Sequence, residues 1–309
     1  MGLATREAYG KALVQLGKEN ENIVVLDADL SKSTKTADFA KEYKERFINV
    51  GIAEQNLMGL SAGLASYGKI PFASTFAVFA TGRAFEIIRN SICYPNLNVK
   101  IAATHAGITV GEDGGSHQSI EDIALMSSLP NMTVIVPADE AETVQVIKEA
   151  ARINGPVYIR LGRLAAEDIF DENYKFEVGK GIAVKEGNDI TIVTTGLTTN
   201  IALEAAKELE NDNVNVRVIH MPTIKPIDEE ILIKAAKETK CIITFEEHSI
   251  IGGLGDRVCS VTSLKSPVKV RKVGIEDTFG QSGTPKELLQ HYGLTKENIK
   301  NVVMEEINK

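Results

Sequence analysis

The sequence of 309 residues contains no tryptophan and only three cysteines, Cys93, Cys241 and Cys259. The cysteines are far apart, odd in number and without a Cys-x-x-Cys spacing, so neither a disulfide framework nor a zinc site is predicted. Reduced thiols that pack as small core residues are typical of cytoplasmic proteins, and we expect that location. No apolar run is long enough to cross a bilayer, and residues 1–6 lack a signal-peptide pattern. We therefore expect no membrane partner.

An excess of positive charge is also missing, because 34 lysines and arginines face 42 acidic residues, for a net charge of -8. A nucleic-acid partner is not expected, since a phosphate backbone requires a basic face. Small phosphorylated ligands are not excluded, because they need only a local cationic pocket. The first predicted strand is not followed by G-x-G-x-x-G, and no P-loop is present, which argues against a nucleotide-binding domain.

Hydrophobic residues make up 43% of the chain and charged residues 25%, the balance of an ordinary soluble globular protein. The length suggests about two domains. Alternating helical and extended patterns predict a mostly parallel α/β sheet over residues 1–165. Its predicted helices are Thr5–Lys18, Glu54–Tyr67, Gly82–Cys93 and Glu140–Ala151, and its predicted strands are Ile23–Leu26, Pro71–Thr75, Val99–Ala103, Thr133–Val136 and Val157–Arg160.

A second, smaller α/β domain is predicted over residues 189–309. The charged and aperiodic residues 166–188 between the two domains are interpreted as a linker with a short hairpin. The predicted strands of the second domain are Ile190–Thr194, Val214–Ile219, Cys241–Phe245 and Val268–Arg271, and its predicted helices are Asn200–Glu210, Asp228–Lys237 and one near Asp256. His248, beside Gly252 and Gly253, is expected to be structural or interfacial.

Glu54 is the first candidate for chemistry. It follows a strand-like segment, Phe47–Val50, and begins a helix with almost no polar residues on its inner face. A carboxylate buried among apolar groups is a candidate acid or base. An acidic residue is also what any helix N-terminus favours through the macrodipole, and taken alone this second interpretation is preferred.

A series of motifs changes that preference. They are Ala4-Thr-Arg6, Asp27-Ala-Asp29, the VGIAEQN of residues 50–56, Pro71–Phe76, the GEDGGSHQS of residues 111–119 and Leu161-Gly-Arg163. Their order and rough spacing resemble those of transketolases. Over essentially its whole length the chain resembles the C-terminal half of transketolase, and it is most similar to the C-terminal subunit of split, two-chain transketolases. The Gly-Asp-Gly…Asn stretch by which such enzymes hold Mg²⁺ and diphosphate is missing.

This resemblance implies a pyrimidine-binding domain followed by a transketolase C-terminal domain, and thiamine diphosphate as the cofactor. In this superfamily the cofactor lies between domains of different chains. We therefore expect an N-terminal partner subunit that carries the diphosphate-binding domain and the Mg²⁺ ligands, in an α₂β₂ heterotetramer. No metal ligand is expected in this chain, and the chain alone should expose an apolar patch and self-associate.

For the cofactor, the resemblance implies that Glu54 activates the aminopyrimidine and that Phe76 and Phe79 line and stack on it. Asp29 matches an acidic residue near the cofactor and the subunit contact. Gly82 stands where transketolases usually have a third aromatic residue, so the ring pocket is expected to be looser or filled by Phe85.

For the substrate, the resemblance implies that Asp113 and His117 contact sugar hydroxyls, with His117 also a candidate for proton transfer. The residues that match phosphate-binding positions are Arg6, Ser33, His105 and Arg163. Arg160 competes for the role of Arg163. The pair Gly114-Gly115 replaces the usual Gly-Pro, which predicts a more flexible loop.

The function implied is transfer of a two-carbon ketol group between sugar phosphates in the pentose phosphate pathway. The alternatives are a fragment like 1-deoxyxylulose 5-phosphate synthase and a 2-oxoacid dehydrogenase beta subunit. A non-catalytic scaffold subunit is disfavoured because Glu54, His105, Asp113 and His117 are all retained.

Overall fold

The computed structural model describes residues 2–171 and 173–309, which alternate between strands and helices. The strands are β1 (Ile23–Asp27), β2 (Phe47–Asn49), β3 (Ile70–Ser74), β4 (Lys100–Ala103), β5 (Thr133–Ile135), β6 (Val157–Arg160), β7 (Ile182–Lys185), β8 (Ile190–Thr194), β9 (Val216–His220), β10 (Thr223–Lys225), β11 (Cys241–Ser249) and β12 (Lys269–Ile275). The helices are α1 (Thr5–Glu19), α2 (Ser31–Thr34), α3 (Thr36–Glu42), α4 (Glu54–Ser66), α5 (Phe85–Ile87), α6 (Asp122–Ser128), α7 (Glu140–Arg152), α8 (Thr198–Leu209), α9 (Glu229–Glu238), α10 (Leu254–Lys265), α11 (Pro285–His291) and α12 (Lys296–Ile307). The predicted α/β class is confirmed.

The first sheet has the strand order β10-β5-β6-β4-β3-β1-β2, and its strands are parallel except for β10. Alternate residues of its strands enter two different hydrophobic cores, because side chains alternate between the two faces of a strand. Val25 and Ile159 pack with α1 and α7, whereas Leu26 and Tyr158 enter a core on the opposite face. Burial on both faces explains why these strands are continuously apolar.

The second sheet has the order β12-β11-β8-β9-β7. Strand β7 lies within residues 166–188, which were expected to form a linker with a short hairpin, and it pairs antiparallel with β9. The second α/β unit therefore begins before residue 189. Helices α11 and α12 were not predicted, although Thr284 and Glu287 form a capping box at the start of α11 that is visible in the sequence.

The two units share both a sheet and a core. Strand β10 belongs by sequence to the second half, yet it pairs with β5 of the first sheet, with Thr223 opposite Ile135. The same core that contains Leu26 also contains Ile219 and Leu232 from the second unit. The pairing of β10 with β5 and the shared core hold the second unit against the first sheet.

The segment predicted as a regular helix from Gly82 to Cys93 has a different geometry. It begins with a π-helical turn, Phe79–Arg83, and ends with a second one, Ile88–Cys93, on either side of α5. Wide turns of this kind are frequent at functional sites. None of the described helices is both long and apolar enough to span a membrane.

Candidate functional site

The candidate residues lie mostly in loops that follow parallel strands of the first sheet. Asp29 follows β1, Phe76 follows β3, His105 follows β4 and Arg163 follows β6. The carboxyl ends of parallel strands meet at one edge of the sheet, where ligands of open α/β sheets usually bind. The topology therefore brings together motifs that are far apart in the sequence.

An aromatic pair forms one part of the site. The rings of Phe76 and Phe79 are nearly parallel, with centroids 6.0 Å apart and an interplanar angle of 10°. His105 stacks on Phe76 at 3.8 Å, and His117 points its edge at Phe79 at 5.4 Å. Phe85 packs instead on the core that contains Leu26, and a Cβ atom at Gly82 would have no neighbour within 4 Å. The space beside Gly82 is thus open.

Glu54 is the first residue of α4, and its side chain is only 3% exposed. Arg83 donates from Nη1 to both carboxylate oxygens at 2.8 Å. The guanidinium carbon of Arg83 also lies 4.7 Å from the centroid of Phe79. Sequence reasoning missed Arg83, although its position shortly after Phe79 in a predicted helical segment could have drawn attention to it.

A cationic cluster lies beside the aromatic pair. Arg6 donates from Nη1 to the carbonyl of Ser33 at 3.1 Å and to Nε2 of His105 at 3.2 Å. Because arginine can only donate, His105 Nε2 is the acceptor, and we assign its proton to Nδ1, which lies 2.8 Å from Thr104 Oγ1. The Nε atom of Arg6 is buried without a hydrogen-bond partner. An orphaned donor of this kind in a cationic pocket fits an anionic ligand.

His105 is neutral in this environment. Burial, together with the nearby charges of Arg6 and Arg163 and the ring of His117, lowers the pKa of its imidazole to about 3. Burial also lowers the pKa of Arg6 below its usual value, an effect opposed by Glu7 and assisted by Arg163. A bound anion would relieve the repulsion among these groups.

The two candidate arginines near the end of β6 have different environments. Arg163 is 37% exposed, donates to the carbonyl of Val110 and lies 3.6 Å from the Asp113 carboxylate. Arg160 is 7% exposed and donates to Asp122 at 2.8 Å and to the carbonyls of Ser119 and Glu247. The hydrogen-bonding capacity of Arg160 is therefore largely used inside the protein, whereas Arg163 is more exposed and lies beside the loop carboxylates of Glu112 and Asp113.

The glycine-rich loop packs against the second unit, and the flexibility expected from Gly114-Gly115 stays a prediction. Gly114 has a φ of 77°, and a Cβ atom at Gly115 would lie 2.5 Å from the carbonyl oxygen of Gly280. Gln118, in the same loop, donates to the carbonyl of Gln281 at 2.9 Å. Glycine is required here because only a residue without a side chain allows this close approach.

The remaining candidates are Asp29 and His248. Asp29 is exposed, has a φ of 64° and accepts a hydrogen bond from the Asn49 amide at 3.1 Å. His248 is fully buried, and burial lowers its pKa to about 4. Its Nδ1 donates to the Ser249 carbonyl, and its Nε2 accepts from the Ala124 N–H. This arrangement agrees with the structural role that was expected for His248.

Comparisons with known proteins agree with this geometry. Residues 1–167 match the family model of the transketolase pyrimidine binding domain, and residues 179–299 match that of the transketolase C-terminal domain. The chain is 53% identical over 307 residues to a protein of Methanocaldococcus jannaschii described as a transketolase C-terminal section, covering 98% of this chain and 96% of that protein. It is 37% identical to one of the chains of the apulose-4-phosphate transketolase of Phocaeicola vulgatus, covering 99% of this chain and 98% of that one.

Among solved structures, the fold is similar to one described as a split gene transketolase, inactive beta4 tetramer. The TM-score is 0.93 and the identity 60%, with 99% of each chain covered.

Proposed function

The chain belongs to the transketolase family, and on that premise we propose that it is the C-terminal subunit of a split transketolase that moves a two-carbon ketol group from a ketose phosphate to an aldose phosphate. The observation that carries the proposal is the direct contact between two half-sites. A parallel aromatic pair beside the buried Glu54 adjoins the cationic cluster of Arg6, His105 and Arg163 through the stacking of His105 on Phe76.

The first half-site fits the aminopyrimidine of thiamine diphosphate. Phe76 and Phe79 offer flat apolar faces, and Glu54 is a buried carboxylate that can hold a proton at a ring nitrogen. When bound, this cofactor supplies the electron sink for cleavage of a carbon–carbon bond. Glu54 orients the ring and exchanges its proton, and the aromatic pair excludes water from one side. Asp29, exposed beside Asn49, is proposed to lie at the cofactor and subunit contact.

The second half-site fits a sugar phosphate. Arg6 and Arg163 provide donors for a phosphate dianion, with His105 and the Ser33 segment beside them, and Arg6 Nε still lacks an acceptor. Asp113 can accept from a sugar hydroxyl, and His117 can donate to one or carry its proton. The ring of His117 lies edge-on to both Phe76 and Phe79, and it is close enough to His105 of the second half-site to affect its pKa. That position suits a group acting on the carbon that is transferred.

We further propose that an N-terminal partner subunit supplies the diphosphate and Mg²⁺ sites, in an α₂β₂ assembly. The helix that begins with Glu54 offers a surface for it. On α4 the exposed residues include Gly59, Leu60 and Gly63, and the neighbouring Ile52 is 79% exposed. Small and apolar residues on an exposed helix face favour close packing against another chain.

The test is ketol transfer from xylulose 5-phosphate to ribose 5-phosphate in the presence of thiamine diphosphate and Mg²⁺. This chain is assayed alone and after mixing with a candidate N-terminal subunit. We expect activity only in the mixture. Activity of the chain alone would contradict the partner requirement. Inactivity in both, with pyruvate accepted as donor, would favour the synthase or dehydrogenase alternative.

A further inference from the structure

The guanidinium of Arg83 occupies both contacts that the proposed cofactor ring would use. It donates to both oxygens of Glu54 at 2.8 Å, and it lies over the ring of Phe79 at 4.7 Å. The Glu54 side chain is buried, whereas the Arg83 side chain that pairs with it is about half-exposed. One side chain thus contacts the carboxylate and the aromatic face together.

The chemistry of a guanidinium explains why it suits this place. It is planar, stacks on aromatic faces and presents N–H donors at its edge. An aminopyrimidine is also planar and offers its ring face to stacking and its edge to hydrogen bonding. The same pair of protein groups, a carboxylate and a phenyl ring, therefore recognises either one.

We propose that Arg83 is an internal occupant of the pyrimidine site, which the cofactor must displace before Glu54 becomes available. This inference rests on the proposed function. Arg83 competes with the cofactor for Glu54 and Phe79. The chain therefore binds its cofactor more weakly than it would if the carboxylate and the aromatic pair were free. Arg83 affects only the binding of the cofactor and takes no part in the chemical steps.

The local structure allows Arg83 to leave. Arg83 is the last residue of the π-helical turn Phe79–Arg83, and its side chain is 51% exposed. Gly82 has open space where a side chain would point. A cation that is half-exposed recovers hydration when it moves into solvent, whereas the buried carboxylate needs a new hydrogen-bond donor, which the ring provides once a ring nitrogen is protonated.

The test compares the wild type with Arg83→Met, which keeps an apolar stem over Phe79 and removes the charge. The dissociation constant of thiamine diphosphate is measured by calorimetry on the complex with the N-terminal subunit in the presence of Mg²⁺. We expect Arg83→Met to bind the cofactor about fivefold more tightly or better. Arg89→Met is the matched control, because Arg89 is exposed and donates to the neighbouring Asn90.

A second measurement needs no partner subunit. The isolated chain is titrated with 4-amino-2-methylpyrimidine, and binding is followed by ligand-observed NMR. We expect Arg83→Met to bind this probe and the wild type to bind it at least about fivefold more weakly. If Arg83→Met does not fold, Arg83→Lys is used instead, since it keeps the charge but loses the planar face, and it is expected to bind the probe about twofold more tightly than the wild type.

The outcomes separate this inference from the proposed function. If the wild-type complex binds thiamine diphosphate and Arg83→Met binds it equally well or more weakly, Arg83 is not a competitor and the inference is wrong. If neither binds thiamine diphosphate in the complex, the proposed function itself fails. Tighter binding by Arg83→Met, with Arg89→Met unchanged, supports both.

Discussion

Two clusters of charged side chains contain the two arginines at and just after the end of β6. The buried cluster consists of Arg160, Asp122, Glu247 and His248, and its main charges pair with one another or with backbone groups, although one oxygen of Asp122, Oδ1, has no hydrogen-bond partner. The site cluster consists of Arg6, His105, Arg163 and Asp113, and it retains a buried N–H of Arg6 without an acceptor. Arg160 and Arg163 are close in sequence, but they belong to different clusters.

The charges of the buried cluster stabilise the fold, whereas the charges of the site cluster are available to a ligand. In the buried cluster, burial raises the pKa of Glu247, although Arg160 and the Thr109 N–H oppose the shift. Such a network is satisfied only when every member is in place. In the site cluster the cations are partly exposed and repel one another, which costs free energy that a dianion would recover. Substitutions in the first cluster should change stability, and those around the site should change activity.

The largest effect on the site side is expected for Glu54→Gln. The amide cannot exchange the proton at the cofactor ring, so turnover of the reconstituted enzyme should fall by about 100-fold or more. The melting temperature of the chain should change little. Steady-state assays and thermal unfolding check this, with the exposed Glu86→Gln as control. A loss of less than about tenfold would contradict the proposed mechanism.

On the buried side, Arg160→Met should destabilise the chain by about 3–5 kcal/mol, because Asp122 loses its buried ion pair and the Glu247 carboxyl loses the nearby positive charge of Arg160. Urea unfolding measures the change. The control is Arg152→Met, since Arg152 forms an exposed pair with Glu149 that is worth at most about 0.5 kcal/mol. Equal stabilities of the two variants would remove the distinction between the clusters.

A smaller effect is expected for Arg163→Ala. Loss of one cation from the site cluster should raise KM for a sugar phosphate by about tenfold or more, with kcat changed much less, because the contact binds ground state and transition state alike. A non-phosphorylated acceptor such as ribose should show no such increase. A fall in kcat at constant KM would instead place Arg163 in the chemical steps.

The smallest effect concerns pH. Burial lowers the folded-state pKa of His105 to about 3 and of His248 to about 4, against about 6.5 in an unfolded chain. Their contribution to stability is complete above about pH 6.5 and is lost as the pH falls towards these values, because only the unfolded state binds the proton. The melting temperature should fall by a few degrees less between pH 7 and pH 5 in His105→Asn and His248→Asn than in the wild type.

Ribose 5-phosphate sharpens this last comparison. A dianion in the site cluster favours protonated His105, so the sugar phosphate should reduce the part of the acid-induced loss of stability that depends on His105. The part that depends on His248 should stay unchanged. Burial raises the pKa of Glu246 to about 7, and this group contributes with the opposite sign. The measured quantity is therefore the difference between each variant and the wild type. Identical pH slopes in wild type and both variants would refute the assignment.

Much of this fold was predictable from local patterns. Apolar runs such as Ile23–Leu26 and Val157–Arg160 are strands, and the periodic segments at Thr5 and Glu140 are helices, because burial on a regular element imposes its own period on the sequence. The order of the motifs was enough to identify the family. The roles of the site residues stay predictions, although the structure brings most of them to one edge of the sheet.

What only the tertiary structure decided are contacts between residues far apart in the chain. Local pattern could not choose between Arg160 and Arg163, because the choice depends on Asp122 and on the carbonyl of Glu247. Nor could it pair Arg83 with Glu54, place β10 beside β5, or pack Gly115 against Gly280. Helix and strand periods report which side of an element is buried. They do not report which distant side chain packs against that buried side. In this protein the distant contact partner is what distinguishes a charge with a structural role from a charge at the candidate site.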